Sequence, residues 1–440
     1  MADYVLGGRT LGPGVTALSA GASDMSGWLL LGLPGAIYLS GLREGWIVVG
    51  LLLGAWANWR LVAGPLRHAS AAADDALTLP ELLSRIIGQG ADRQMIRLLR
   101  LTATALILFF FTFYVAAGLV AGARLFESTL ELDYLTALAI GSGIIVAYTM
   151  AGGFLAVSWT DFFQGCLMLL ALVAVPLLLM GGSTEAADIG PGHLDPFAGL
   201  TPLALLSLLA WGLGYFGQPH ILARFMAIRS ESELPRARHI GMTWMLVTTV
   251  AAVAVGLGGN AVFGSGLPEA ETVFIDLTQL LFHPLVAGIV LAAILAAVMS
   301  TIDSQLLVAS TCLAEDVYKP WLRPEASSAE LVKAGRLAVA AVALLALLLA
   351  LDPDSRVLTL VSHAWAGLGA SFGPVLLLAL HWPRLTAAGA LAGMLTGGIT
   401  VVVFGSLSGG LFEVYELLPA FLLAGAVAMA VSVSRDAAAA

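Results

Sequence analysis

Long apolar stretches, separated by short polar connections, run along almost the whole chain. Each has about the 20 residues that a helix needs to cross a bilayer, and none shows the apolar–polar alternation of a half-buried strand. An open sheet also cannot satisfy its backbone in lipid. The pattern therefore predicts an all-α, polytopic membrane protein with about 12 transmembrane helices. The predicted segments are 13–39, 45–66, 98–127, 133–151, 154–182, 199–225, 237–263, 284–314, 331–351, 356–381, 387–405 and 411–433.

Composition supports the membrane assignment and excludes some partners. Hydrophobic residues make up 59% of the chain and charged residues 11%, whereas a soluble domain carries roughly 25% charged residues. The net charge of −9 provides no basic surface for nucleic acid, and no protein partner is evident. No apolar core of a cleavable signal peptide precedes Pro13.

The basic residues predict the orientation of the chain. If the connections alternate between two sides, 17 of the 20 basic residues fall on the side of the N-terminus, and only Arg43, Arg124 and Arg356 fall on the other. The positive-inside rule makes the first side cytoplasmic. We therefore expect a multi-pass protein of the bacterial cytoplasmic (inner) membrane with both termini in the cytoplasm.

Two connections are longer than the rest. Residues 264–283 are too polar to span, and we expect an outer loop with a short surface helix that covers a vestibule. The cytoplasmic stretch 67–97 predicts a surface helix that begins at Thr78-Leu79-Pro80.

The first predicted span contains a dense group of small and polar residues, from Ser19 to Trp28. Gly21 and Gly27 weaken a helix there, and the carbonyl groups of an unwound segment can coordinate a cation. Asp24 adds a full negative charge, which is costly in a membrane and marks function by default. The alternative is a helix-packing face of small residues, but such a face does not need the aspartate.

The sixth predicted span contains Gly212, Gly214 and Gly217 followed by Pro219. The three glycines match G-x-G-x-x-G, but a dinucleotide site needs a strand before the motif, and this match lies within an apolar helix. The glycines and the proline instead predict a broken helix. Trp211 and Tyr215 are four residues apart and share one face of a helix. That face could form a wall for the apolar ring of a substrate, or it could be an ordinary packing face of the core.

The eighth predicted span carries the adjacent hydroxyls Ser300 and Thr301, and Asp303 follows them. A single hydroxyl often bonds back to its own helix. Two hydroxyls on a helix that faces the first span suit a hard cation, which prefers oxygen ligands.

The two interrupted spans are five spans apart, at matching positions of two halves, which is typical of a transporter site. An odd number of spans per half inverts the second copy, so the pattern predicts a five-plus-five inverted-repeat core. The predicted parts are a cytoplasmic segment (1–12), a first repeat (13–182), a second repeat (199–381), two peripheral helices (387–433) and a cytoplasmic tail (434–440).

The chain resembles the proline carriers of the sodium/solute symporter family from Asp3 to about Tyr415. The resemblance is carried by long runs rather than isolated residues: 16–28 (TALSAGASDMSGW), 122–128 (GARLFES), 153–161 (GFLAVSWTD), 211–226 and 294–301 (ILAAVMST). Members of the family carry one more spanning helix ahead of the motif at Asp3. Because that helix lies outside the ten-helix core, we expect the site to be independent of it.

The resemblance implies the roles of particular residues. One sodium ion would bind where the first and eighth helices cross, with ligands from the carbonyl groups of Ala22, Met25 and Ala297 and the hydroxyls of Ser300 and Thr301. The proline pocket would consist of Trp28, Tyr114, Trp211, Tyr215 and Pro219. Coupling or the ion pathway would involve Asp24, Ser26, Gly27 and Asp161.

We therefore expect sodium-coupled import of L-proline by alternating access, with sodium as the co-transported ion, the lipid bilayer as surroundings and no enzymatic reaction. An uncharged residue stands at the position of Asp303 in the family's bacterial proline carriers, which keeps another small amino acid or a monocarboxylate open as substrate. Proton coupling and a transporter-like membrane sensor are further alternatives.

Overall fold

A computed structural model describes residues 5–88, 91–149, 153–182, 189–190 and 192–439. These residues form helices and connections, and the only β-type pairing among them is an isolated bridge between Leu11 and Ile228. Every predicted apolar segment contains a helix. The α-helices are α1 Pro13–Asp24, α2 Leu33–Ser40, α3 Gly45–Leu61, α4 Ala63–Ala72, α5 Leu79–Ile87, α6 Arg93–Leu130, α7 Tyr134–Thr149, α8 Phe154–Met180, α9 Pro202–Ala210, α10 Pro219–Ala227, α11 Leu234–Phe263, α12 Val273–Leu281, α13 Pro284–Cys312, α14 Ser328–Leu349, α15 Val357–His381, α16 Ala387–Gly405 and α17 Leu417–Ala439.

Nine helical stretches of the described chain are long and apolar enough to cross a membrane. The fourth and sixth predicted spans are shorter, at Tyr134–Thr149 and Pro202–Gly217. The all-α, polytopic architecture is confirmed, while the count of 12 remains a prediction. The boundaries of the predicted parts also remain predictions. Within those parts, residues 1–4, 89–90, 150–152 and 440 lie outside the described chain.

The first span is interrupted where the sequence predicts it. Helix α1 ends at Asp24, and Met25 leaves helical geometry with φ −80° and ψ 46°. After Ser26, a π-helical turn over Trp28–Gly32 leads into α2. The small polar residues do not sustain a regular helix, so main-chain groups are freed in the middle of the span.

The sixth span is also broken as predicted. Helix α9 passes into a 3₁₀ segment over Trp211–Gly217, and Gln218 is extended with ψ 104° before α10 begins at Pro219. Proline suits this place because it lacks the N–H that the first turn of a helix leaves unpaired.

Helix α13, the eighth span, packs against α1, α6 and α8. The second span α3 lies directly on the broken sixth span. A side chain at Gly54 would collide with the carbonyl group of Gly212, and a side chain at Gly212 would collide with that of Gly50. Only glycine permits this backbone approach.

The polar loop 264–283 contains the predicted short helix, α12, whose Phe274 and Ile275 are fully buried. Just before it, the carboxylate of Glu271 accepts hydrogen bonds of 3.1 Å from the N–H groups of Val357 and Leu358, at the start of α15. Burial raises the pKa of Glu271 above its usual range. The loop is therefore fastened to the N-terminus of the tenth span.

The predicted helix α5 begins at Leu79, and Thr78 is its N-cap residue. The Thr78 hydroxyl accepts a hydrogen bond of 3.1 Å from the N–H of Glu81. This is the expected N-cap arrangement. Leu82 and Leu83 are fully buried, so α5 packs into the helix bundle.

The chain ahead of α1 is tied to the end of α10. The N–H of Leu11 donates to the carbonyl of Ala227 at 3.3 Å, and the N–H of Arg229 donates to the carbonyl of Leu11 at 2.9 Å. The Arg9 guanidinium adds a hydrogen bond of 3.1 Å to the carbonyl of Met226. The first and sixth spans are thus joined at one end.

Candidate ion and substrate site

Four of the five predicted sodium ligands lie together where α1 crosses α13. The Ser300 hydroxyl is 2.8 Å from the Ala22 carbonyl oxygen and 3.0 Å from that of Ala297. The Thr301 hydroxyl is 3.4 Å and 3.1 Å from the same two oxygens. All four residues are buried. The donor set is entirely oxygen, which fits a hard cation.

The fifth predicted ligand, Met25, is the buried residue at which α1 loses helical geometry. Its N–H still donates to the carbonyl of Gly21 at 2.9 Å. The Met25 carbonyl lies past the last regular turn, where helix carbonyls lack an intrahelical partner. The geometry is compatible with a ligand role, which stays a prediction.

Asp24 connects the first span to two tyrosines of the predicted pocket. The Tyr215 hydroxyl donates to the Asp24 carboxylate, and the Tyr114 hydroxyl donates to the Asp24 main-chain oxygen at 3.3 Å. Asp24 is only 3% exposed. A helix-packing face would not need these contacts, so the geometry disfavours that alternative.

The remaining pocket residues gather around the break in the sixth span. The rings of Trp28 and Trp211 lie 6.3 Å apart between centroids. Tyr114 contacts the ring of His220 edge-on, with 5.9 Å between ring centroids. His220 directly follows Pro219, which is buried. The five predicted pocket residues therefore come from three spans to one region.

Met25 and Ser26 form the non-helical link after Asp24, and Gly27 follows it in helical conformation. The Ser26 N–H donates to the Asp24 carbonyl at 2.9 Å, and the Trp28 N–H donates to the Ser26 hydroxyl at 3.4 Å. A side chain at Gly27 would approach the Ala121 methyl group to 2.6 Å. Hence the link is held by local hydrogen bonds against a closely packed neighbour.

Asp161 lies in a buried network that the sequence did not predict. The Arg224 guanidinium pairs with the Asp161 carboxylate at 3.1 Å, and both side chains are fully buried. The Ser19 hydroxyl donates to the same carboxylate oxygen at 2.6 Å, and Arg224 also donates to Ser304. The network joins α1, α8, α10 and α13.

Asp303 is a second buried carboxylate on α13. It accepts a hydrogen bond from the Thr149 hydroxyl at the end of α7. Its other oxygen, Oδ2, has no partner among the described residues.

Several residues around the site were not among the predicted ones. The Trp365 indole N–H donates to the Trp211 carbonyl at 2.7 Å, and Tyr415 stacks on Trp211 at 5.0 Å. The Gln218 amide donates to the carbonyls of Gly214 and Trp365 at 3.1 Å. The sequence offered two signals for these residues. Gln218 is an amide at the break before Pro219, and Trp365 is a tryptophan in a stretch of mostly small residues.

Comparison with known proteins assigns the chain to a family. The model of the sodium:solute symporter family matches residues 4–397. The high-affinity proline transporter PutP of Bacillus subtilis is 53% identical over 96% of this chain and 90% of that protein. The sodium/proline symporter of Escherichia coli is 52% identical over 96% of this chain and 85% of that protein.

Two solved structures have a similar fold. One is a Na⁺-coupled sialic acid symporter in a substrate-bound outward-open state, with a TM-score of 0.80 and 18% identity. It covers 98% of this chain and 91% of its own. A nucleobase-cation-symport-1 family transporter in a closed conformation has a TM-score of 0.60 and 13% identity, covering 98% and 95%. At these identities the likeness concerns the fold, and it supports the inverted-repeat transporter architecture. Since the family model spans most of its length, this chain belongs to the sodium:solute symporter family, which consists of transporters rather than enzymes.

Proposed function

We propose that this chain imports L-proline together with sodium across the cytoplasmic membrane of a bacterium. The proposal is supported by relatives at 46–53% identity that are named as proline transporters or sodium/proline symporters. The observation that carries it within the molecule is the contact of Tyr215 and Tyr114 with Asp24. It joins the predicted proline pocket to the predicted sodium-binding span.

Sodium would be held by the carbonyl groups of α1 and the hydroxyl groups of α13. Binding the ion would draw the two helices together, because each provides part of one oxygen set. The main-chain break after Asp24 would then be fixed, and Tyr114 and Tyr215 with it. Sodium thereby prepares the pocket for the amino acid.

The pocket offers separate places for the two ends of proline. Its apolar ring would pack on Trp28 and Trp211, since aromatic faces bury apolar area and attract a cationic amine. Its carboxylate would accept hydrogen bonds from free main-chain N–H groups at a half-helix start, where the helix dipole favours negative charge.

Coupling follows if sodium and proline each bind one conformation more tightly than the other. Rocking of the helix bundle would then carry both to the cytoplasmic side. One positive charge moving across about 100 mV yields about 2.3 kcal/mol. That energy supports roughly a fortyfold proline gradient before the sodium gradient is added.

The test is uptake of labelled proline by the purified chain in proteoliposomes. We expect an inward sodium gradient to drive accumulation above equilibrium, and sodium ionophores to abolish it. Uptake that is indifferent to sodium but driven by a proton gradient would reject the sodium assignment. Unlabelled solutes are then added as competitors of the labelled proline. If another small amino acid or a monocarboxylate competes and excess unlabelled proline does not, proline is not the substrate.

A further inference from the structure

A small cavity lies beside Asp24, and it is lined by residues of α1, α3, α10 and α11 but by none of α13. Its volume is about 30 Å³, and the side chains with polar atoms that line it are those of Asp24, Asn58, Trp59 and Tyr215. About 10–15 Å³ suffices for one water molecule when two or more polar partners surround it. The cavity is thus large enough for one or two waters.

Asn58, on α3, is the unexplained residue of this cavity. Its side chain is 1% exposed, yet neither its amide nitrogen nor its amide oxygen has a hydrogen-bond partner among the described residues. A buried polar group that has no hydrogen-bond partner destabilises the folded protein. An asparagine in this position therefore needs a ligand in the cavity.

The chemistry of Asn58 distinguishes between two ligands. A bound cation would satisfy the amide oxygen but would leave the two N–H donors without an acceptor. A water molecule accepts from the amide N–H, donates to the amide oxygen and can also donate to a carboxylate. Two water molecules can therefore pair the donors and the acceptor of Asn58 alike, whereas a cation pairs only the acceptor.

We propose that this cavity holds water that bridges the Asn58 amide to the Asp24 carboxylate. Asn58 is then a positioning residue: it acts on Asp24 through the bridge, on the side opposite to the predicted sodium ligands. Its effect on transport rests on the proposed function, but the presence of water does not, so the two are tested separately.

The water is tested by X-ray radiolysis of the full-length protein in detergent. Radiolysis converts bound water to hydroxyl radicals, which oxidise nearby methionine sulfur. Met245 lines the cavity and is only 4% exposed, and Met394, which is fully buried, serves as control. We expect Met245 to be oxidised several-fold faster than Met394, equally with sodium or choline, and Asn58→Leu to remove the excess.

Three outcomes would overturn the proposal. The first is equal oxidation of Met245 and Met394, the second is an excess that persists in Asn58→Leu, and the third is protection of Met245 by sodium, which would indicate a cation. Asn58→Ser retains a hydroxyl donor and acceptor and leaves more room for water. It should keep the oxidation of Met245 even if Asn58→Leu does not fold.

The positioning role is tested by transport. We expect Asn58→Leu to raise the half-saturating sodium concentration by about tenfold, because the Asp24 carboxylate loses a hydrogen-bonded bridge that positions it. Asn58→Ser should restore most of the loss. Equal sodium dependence in the wild-type protein and in Asn58→Leu would show that the water has no positioning role.

Discussion

The paired hydroxyls of Ser300 and Thr301 lie within hydrogen-bonding distance of carbonyl oxygens of two helices, the Ala22 oxygen and the Ala297 oxygen. Alanine at both positions removes the two hydroxyls, which are two of the five predicted sodium ligands. We expect Ser300→Ala/Thr301→Ala to raise the half-saturating sodium concentration by more than about tenfold, given about 1.5–3 kcal/mol per bond to a charged group.

The matched control for this double variant lies on the same helix. Ser310 and Thr311 are also adjacent and buried, but both hydroxyls bond only to the Leu307 carbonyl of their own helix. Ser310→Ala/Thr311→Ala should leave sodium activation in proteoliposomes nearly unchanged. If the two double variants respond alike, the site at the helix crossing is wrong.

The hydroxyl of Tyr215 makes a second residue-level prediction. Tyr215→Phe keeps the ring in the pocket but removes the hydrogen bond to the Asp24 carboxylate. Sodium half-saturation should therefore rise more than proline half-saturation. Tyr415→Phe is the control, since its hydroxyl donates to the Ser362 carbonyl at 2.8 Å rather than to Asp24. A larger effect on proline than on sodium would contradict a coupling role for Tyr215.

Residue-level prediction from sequence succeeded where the signal was local. Gly212, Gly214 and Pro219 break the sixth span by their own backbone properties, so the break could be read directly. Arg224 was different: it was counted with the cytoplasmic basic residues, yet it is fully buried against Asp161. That pairing joins residues 63 positions apart, and a single sequence carries no signal for it.

At the scale of elements, the carboxylate of Glu271 attaches the loop 264–283 to α15. Both oxygens of Glu271 accept main-chain N–H groups, from Val357 and Leu358. In Glu271→Gln one side-chain oxygen still accepts from one of these N–H groups. The amide NH2 group replaces the other oxygen and faces the second N–H, with which it cannot form a hydrogen bond. We expect the amides of Val357 and Leu358 to exchange hydrogen about fivefold faster, since one bond contributes about 1 kcal/mol.

Hydrogen–deuterium exchange with mass spectrometry of the peptide that begins α15 measures this effect. Glu269→Gln is the control: it lies on the same loop, and its side chain is 39% exposed. Unaltered exchange in Glu271→Gln would show that the loop is held by its apolar contacts, which include the buried Phe274 and Ile275.

Elements were predicted well because apolar segments of membrane length leave few alternatives to a helix. The polar 264–283 loop and its short helix were equally visible from composition. What composition does not contain is which elements touch. The close approach of α3 to the sixth span at Gly54 and Gly212 depends on the shapes of both helices. A glycine in the sequence shows that a close approach is possible, but it does not show which helix approaches.

At the scale of the whole molecule, the distribution of basic residues predicts an orientation that can be measured. In a background without Cys166 and Cys312, we expect Ser265→Cys, in the outer loop, to react with a membrane-impermeant maleimide on intact spheroplasts. Ser232→Cys, between α10 and α11, should react only after permeabilisation. Both positions are exposed, so the reverse pattern would mean that the predicted orientation is wrong.

The bridge between Leu11 and the end of α10 has a mechanical consequence. Main-chain hydrogen bonds connect the start of the first span to the end of the sixth. We therefore expect the two interrupted spans to move together at this end. The two connected ends should move as one rigid body during the transport cycle. A disulfide engineered between positions 11 and 228 would then restrict no motion that transport needs, so oxidation should leave the rate of transport unchanged.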